Sequence, residues 1–345
     1  MIPIDCKHSN QYLYKTEKSD EYEPFLKAYY KALIPTNRSQ KVMALDAWCK
    51  KNIHLDKDVG GQEWSFKDVV CVSPENLVKL KNLIDNLSIN DKKDLMRISS
   101  YVVTILYNNR LRKYGARQIL EEEMDVHICP YCNRNLIYQI KKNGSFKTTC
   151  ELDHFFSKGG NKGTDLNGYA LLAASFYNLI PACQYCNGVK GEKELKAFYP
   201  HLFKWKESEK IRFTFYPSKI GYITDVESFD IGMKIDIKKD ENTIDNHVSE
   251  YKTWRRYDVI HDLDTLNILE IYQNNKRDVQ GLLWKNTIIS DDYVSMLYES
   301  FGEFFDSKSE LRNLVLDKPN DFSDIARMPL GKLKYDIYRE IDNTD

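Results

Sequence analysis

The sequence predicts an α+β chain: a small cysteine-stapled core between mostly α-helical N- and C-terminal regions, with a few strands after the core. Three observations predict it. Two Cys-x-x-Cys pairs, Cys129/Cys132 and Cys183/Cys186, bracket a loop too long for a simple ribbon, so something else folds inside it. Both flanks repeat apolar residues at three and four positions, the period of an amphipathic helix. Two stretches after the core, 211–216 (IRFTFY) and 229–237 (FDIGMKIDI), alternate instead, as half-buried strands do. The regions so drawn are 1–125, 126–205 and 206–345.

Taken in order, residues 1–20 are polar and read as an irregular lead-in. From 21 to 51 the pattern is helical, with Phe25, Tyr29, Ala32 and Leu33 on one face; after Pro35 a second helix carries Ala44, Leu45, Ala47 and Trp48. Residues 52–73, with Gly60-Gly61, read as a loop holding a short packed segment. Pro74 can open a helix with Leu77, Leu80, Ile84 and Leu87 on its buried face. The next helix turns Leu95, Ile98, Val102, Ile105 and Leu106 inward and ends in a basic run, Asn108 to Lys113, followed by Tyr114 and Arg117. That run reads first as a solvated helix face and second as a phosphate-contacting flank. Glu151-Leu152-Asp153-His154-Phe155-Phe156 reads as a short strand, and Asn187-Gly-Val-Lys-Gly as the start of a helix. His201, with no partner cluster, reads as a packed or surface histidine. Residues 237–247 read as a charged loop, 262–287 as one helix, 291–306 as another, and Pro329 onward as a short last helix. No internal repeat appears.

Charge is balanced, with 50 Lys plus Arg against 51 Asp plus Glu, so the whole chain is not a basic coat for nucleic acid. Contact with DNA needs a local face or a partner. No N-terminal signal peptide is legible, and no apolar run approaches the ~20 residues of a membrane span. Cys6, Cys49, Cys71 and Cys150 are scattered singly and read as small core residues, a usage that suits a reducing cytoplasm. No phosphate-binding G-x-x-x-x-G-K-[ST] loop is present, so nucleotide hydrolysis by this chain is not expected.

Each Cys-x-x-Cys turns two sulfurs toward one point, and two such knuckles complete a tetrahedral thiolate site suited to Zn²⁺. A redox pair would want a thioredoxin-like βαβ context, which is missing. Four thiolates leave no open coordination position, so this zinc holds structure. Within the loop, a carboxylate beside an imidazole at a strand end suits a metal ligand next to a general base. The pattern LDHFF … YNLIP-x-C-x-x-CN-x-x-KG resembles the HNH, or ββα-metal, endonucleases in their four-cysteine form, over about the middle fifth of the chain.

That resemblance implies a ββα-metal core and a set of roles. His154 matches the general base; Asp153 and Asn187 match the two ligands of a catalytic Mg²⁺ or Mn²⁺; Asn178 matches the residue that pins the loop and orients the histidine. Lys190 stands where a basic residue reaches a phosphate. Ser157 departs from the pattern, where related sequences often carry proline, and Gly159, Gly160 and Gly163 add freedom to the same loop. The residue types suit the chemistry. A neutral imidazole, pKa about 6.5 when unperturbed, can take a proton from water near neutrality. A hard ion with one carboxylate and one amide ligand keeps most of its waters, which fits Mg²⁺ or Mn²⁺ better than zinc.

The helical flanks and the PLGKLKYDIYRE tail are also similar to the Septu type of bacterial anti-phage HNH nuclease subunits, which implies a separate partner ATPase and a DNA substrate. The other reading is a catalytically silent, zinc-stabilised nucleic-acid-binding or assembly module. Retention of Asp153, His154 and Asn187 together favours the enzyme.

Overall fold

The computed structural model describes residues 1–4, 24–34, 39–55, 63–111, 115–143, 145–160, 162–237 and 256–342. Among the described residues, helices and three separate two-stranded antiparallel sheets make up the architecture, compatible with the α+β class. The N-terminal helices are α1 (Pro24–Leu33), α2 (Gln40–Asn52), α3 (Phe66–Val70), α4 (Pro74–Asp85), α5 (Ile89–Tyr101) and α6 (Ala116–Met124). A hairpin of β1 (Gln139–Lys142) and β2 (Ser145–Thr148) precedes the pair β3 (Glu151–His154) and β4 (Leu179–Ala182), which leads into α7 (Gln184–Lys190). Then come α8 (Trp205–Ser208), the pair β5 (Ile211–Pro217) and β6 (Phe229–Ile235), and the helices α9 (Arg256–Thr265), α10 (Ile268–Gln273), α11 (Lys276–Ile288), α12 (Asp291–Phe301), α13 (Lys308–Leu316), α14 (Phe322–Arg327) and α15 (Gly331–Ile341). No helix among the described residues is long and apolar enough to cross a membrane.

Local chemistry explains most boundaries. Ser39, Ser65, Ser73 and Ser88 sit in extended backbone before α2, α3, α4 and α5, and each accepts from a first-turn amide. Pro74 occupies the first turn of α4, where its missing N–H costs nothing, and Leu77, Leu80 and Ile84 are buried while Leu87 falls just past the end. On α2 the buried face is Val42, Leu45 and Cys49; Ala44 and Ala47 look outward.

Several expectations need correction. After α5 the chain widens into a π-helical stretch, Val102–Leu111, whose buried residues are Val102, Val103, Leu106, Tyr107 and Leu111. The wider turn moves the inward face, and Ile105 rotates to the outside. At its described arginines the basic run is tied into the fold and is not a free solvated face. Arg110 donates to the carbonyls of Leu33 and Ala32 at the end of α1, and Arg117 pairs with Glu121 and donates to the Cys150 carbonyl. Arg112, Lys113 and Tyr114 lie outside the described residues. The expected helix over 262–287 is three helices, because Asn267 takes a left-handed φ of 50° and Asn274-Asn275 break the next turn. Residues 1–4 are not a polar lead-in: Met1, Ile2 and Ile4 are buried, and Ile2 and Ile4 donate to the carbonyls of Pro130 and Pro200. The rest of that lead-in, Gly60-Gly61, and most of the 237–247 loop lie outside the described residues.

One apolar core runs through all three regions, from Met1 and Tyr29 through Phe155, Phe156 and Tyr199 to Ile337 and Tyr338. Phe155 stacks on Tyr199 at 4.2 Å, and the Tyr29 hydroxyl donates to the Ala174 carbonyl at 3.0 Å. α15 lies on β5, and its buried Lys332–Asp336 pair is fully employed: Lys332 also donates to the Ile211 carbonyl, and Asp336 accepts from the Phe213 amide. His201 is packed between the rings of Tyr177 and Tyr199, and burial pushes it down to about 3. The flanks therefore brace the β3–β4–α7 unit from both sides.

Candidate functional site

The four paired cysteines converge. The sulfurs of Cys129, Cys132, Cys183 and Cys186 all lie within 4.8 Å of one another, and all four residues are buried, so they are positioned to hold a metal ion. The sequence builds each knuckle differently. In the first, Asn133 takes a left-handed φ of 48° and its amide donates to the Cys129 carbonyl, closing a tight turn. In the second, Cys183 is the residue before α7 and Cys186 lies in its first turn, where the helix N-terminus favours thiolate. Asn135 donates to the Cys183 sulfur at 3.2 Å, a further preference for the charged form. Cys49, Cys71 and Cys150 lie apart from this cluster, and burial pushes their thiols up to about 12, 12 and 11. Cys6 lies outside the described residues.

Beside the cluster, β3 pairs antiparallel with β4, with Asp153 opposite Ile180 and His154 opposite Leu179. Side chains alternate along a strand, so Glu151 and Asp153 share one face and His154 takes the other. α7 lies across the Glu151/Asp153 face. Lys190 donates to Asp153 Oδ1 at 3.1 Å and to the His154 carbonyl at 2.8 Å. One turn earlier, Asn187 donates to Glu151. Asp153 Oδ2 accepts from the Tyr131 hydroxyl at 2.7 Å. Both oxygens of Asp153 are thus engaged, and the residue is only 2% exposed. Burial holds its carboxyl above the usual range, against the opposing pull of Lys190 and Tyr131.

On the opposite face, His154 packs against the Tyr107 ring at 4.3 Å, and its Nε2 lies 3.0 Å from the Ala173 carbonyl. A carbonyl only accepts, so Nε2 carries the proton and Nδ1 is the basic nitrogen. Burial, with Lys158 adding to it, holds the imidazole well below its ordinary pKa, so the ring is neutral near pH 7. Asn178 ties the connecting loop down. Its Oδ1 accepts from the Phe156 amide at 2.8 Å, and its Nδ2 donates to the carbonyls of Phe156 and Leu172. Leu172 adjoins the Ala173 whose carbonyl fixes His154, so one amide side chain sets the histidine's acceptor in place.

Asp153, Lys190, Glu151 and Asn187 are therefore brought together; His154 stands behind the strand, and Asn178 joins the two. Asn187 bonds to Glu151 and not to Asp153. Sequence reasoning missed Tyr131, Glu151, Tyr107 and Lys158. Tyr131 lies inside the CPYC knuckle and Glu151 two residues before Asp153, so strand alternation could have flagged the second. The loop of Gly159, Gly160 and Gly163 is closed on itself: the Thr164 amide donates to the Gly159 carbonyl, and a Cβ on Gly168 would lie 2.1 Å from the Gly159 Cα. No protein-family model matches the chain, and neither a curated protein nor a solved structure does.

Proposed function

We propose that this chain is a metal-dependent HNH endonuclease that hydrolyses phosphodiester bonds in DNA, the effector of a bacterial anti-phage system acting with a partner ATPase in the cytoplasm. The carrying observation is a neutral, tautomerically fixed His154 at the end of a strand, with a carboxylate and an amide–lysine helix on the opposite face. In this reading the four cysteines hold a structural Zn²⁺, and Asp153 with Asn187 would hold a catalytic Mg²⁺ or Mn²⁺. That ion would offset charge on the phosphate and the leaving 3′ oxygen. As folded here, the donor set does not fit a divalent ion: both oxygens of Asp153 are engaged and Asn187 bonds Glu151. Lys190 already places a cation against Asp153, so it must turn away before another cation can share that carboxylate. His154 Nδ1 would take the proton from the attacking water, and the Ala173 carbonyl would keep the ring from rotating. Asn178 would hold that geometry, and Lys190, once released, is long enough to meet a phosphate.

The engagement of Asp153 by Tyr131 and Lys190 also favours the second reading, a silent zinc-stabilised nucleic-acid-binding or assembly module. Incubation of the full chain with supercoiled plasmid decides between them. The expected result is nicking or linearisation with Mg²⁺ or Mn²⁺ and none with EDTA. Asp153→Ala and Asn187→Ala should each need more metal for the same rate. A metal requirement unchanged in both variants would remove them as ligands, and no cleavage under any metal condition, partner present, would leave the silent module.

A partner is supported by the C-terminal helices. Met296, Phe301 and Phe304, on and just after α12, and Leu314 on α13, are 51–72% exposed, while α12 buries only Val294. If a genomic neighbour encodes such an ATPase, coexpression with it is expected to give a stable complex whose cleavage responds to nucleotide. Robust, nucleotide-indifferent cleavage by the lone chain would instead make it a free-standing endonuclease.

A further inference from the structure

We infer that the outer face of the β1–β2 hairpin is a binding platform for single-stranded DNA, with Tyr138 as a base-stacking ring and Lys147 as a phosphate contact; the choice of DNA rests on the proposed function above. Register builds the face. Gln139 lies opposite Thr148 and Ile140 opposite Lys147, and the pairing runs on, as the Thr149 amide donates to the Tyr138 carbonyl. Side chains alternate along a strand, so one face collects every second residue. Leu136, Tyr138 and Ile140 are 46–54% exposed there, beside exposed Lys147 and Thr149. The residues between them turn inward: Ile137 is buried, and Gln139, Phe146 and Thr148 are half-buried. Three large apolar side chains in a row on a sheet face form a surface that folded chains usually cover. Charge says what covers this one. Residues 134–149 carry Arg134, Lys141, Lys142 and Lys147 and no Asp or Glu, in a chain whose net charge is -1. Arg134 is engaged within the fold by Asn275. Glu121, in the small cleft between the hairpin base and α6, is paired with Arg117. A cationic ribbon suits a polyanion. An aromatic ring set between apolar neighbours and a lysine offers what unpaired nucleotides need, a π-face for the base and a cation for the phosphate. A duplex keeps its base faces within its own stack, so the ring favours one strand over two. Position agrees. The hairpin leaves the first cysteine knuckle, whose Cys129 amide donates to the Asn135 carbonyl, and β2 ends at Thr148, just before β3 begins at Glu151. DNA held on the hairpin is thus delivered to the start of the strand that ends in His154.

The test is fluorescence anisotropy of a labelled oligothymidylate with the full-length, zinc-loaded protein, with no divalent ion added, so that binding is read without cleavage. Wild type is expected to bind it more tightly than a duplex of equal length, with affinity falling as salt rises. Tyr138→Ala should weaken binding by about 5- to 150-fold, the cost of one lost base stack. Tyr138→Phe should stay near wild type. Tyr138→Leu should be as weak as the alanine variant, because an apolar side chain does not replace a ring. Lys147→Gln should lower the salt slope by about 0.7, one phosphate contact on a single strand. Zinc content and melting temperature should not move in any of these variants, since both side chains are exposed. Wild-type affinity in Tyr138→Ala overturns the inference. So does Tyr138→Leu at the wild-type level, since the face would then be merely apolar, and so does a duplex bound as tightly as the single strand. Wild type that ignores the oligonucleotide also overturns it, and binding to phosphatidylserine vesicles in its place would give the face to a membrane. Binding through Tyr138 by a protein that cuts nothing under any metal condition sinks the nuclease reading alone. Equal plasmid cleavage by wild type and Tyr138→Ala sinks the platform and leaves the nuclease.

Discussion

His154→Ala is expected to lose cleavage by about 10²–10⁴-fold, the usual cost of a positioned general base, while keeping its bound zinc. The two sites are separable because His154 makes its polar contact with the Ala173 carbonyl and its ring contact with Tyr107, and neither is a cysteine-cluster element. Truncation also leaves the Ala173 carbonyl without its donor in a buried place, at about 1–3 kcal/mol. His154→Gln can restore a donor there while removing the imidazole, so it separates lost chemistry from lost stability. Both variants should be inactive at saturating metal, and the glutamine form should melt closer to wild type. Near-normal nicking by either would take His154 out of the mechanism. Burial keeps the ring unprotonated near pH 7, free to accept a proton, but the same depressed pKa makes it a weaker acceptor than an ordinary imidazole.

The parts legible in the sequence are those encoded locally. The spacing of Cys129/Cys132 and Cys183/Cys186 announced a cluster, and the four sulfurs meet. Apolar and aromatic residues framing a polar pair over Glu151–Phe156 announced a strand, and Glu151–His154 is one; Pro74 announced a helix start. The β1–β2 hairpin inside the loop went unread, although Asn143-Gly144 between two short polar runs is a turn signal. It was missed because those runs lack the apolar alternation that marks a buried strand. α9 to α11 were read as one helix because their apolar residues continue in phase across asparagines, which tolerate left-handed backbone. The face-sharing of Glu151 with Asp153 follows from strand geometry alone and could have been drawn. The Tyr131–Asp153 and Arg110–Leu33 bonds could not, since each joins residues that only the tertiary fold brings together.

Cys132→Ser or Cys183→Ser is expected to lose the bound zinc and to unsettle the whole unit from Cys129 to Gly191. Structural zinc binding is itself folding free energy, on the order of 10 kcal/mol in isolated zinc-finger peptides. Here part of the unit is also held by the shared core, with Phe155, Phe156 and Tyr199 buried together, so a large drop in stability short of full unfolding of the flanks is the expected form. The damage should reach Asp153 by two routes. Tyr131, which donates to Asp153 Oδ2, lies between the two cysteines of the first knuckle. Lys190, which donates to Oδ1, lies on the helix that begins directly after Cys183. Loss of the ion frees both mounts at once, so Asp153 loses its two partners and the strand loses its covering helix. Cys150→Ser and Cys49→Ser provide the contrast: both residues are buried outside the cluster, and both variants should keep stoichiometric zinc. The measurements are metal content by mass spectrometry and a melting curve with and without chelator. Purified wild type with no stoichiometric zinc would sink the zinc assignment. Cys183→Ser that keeps wild-type zinc would show that the four sulfurs do not act as one site.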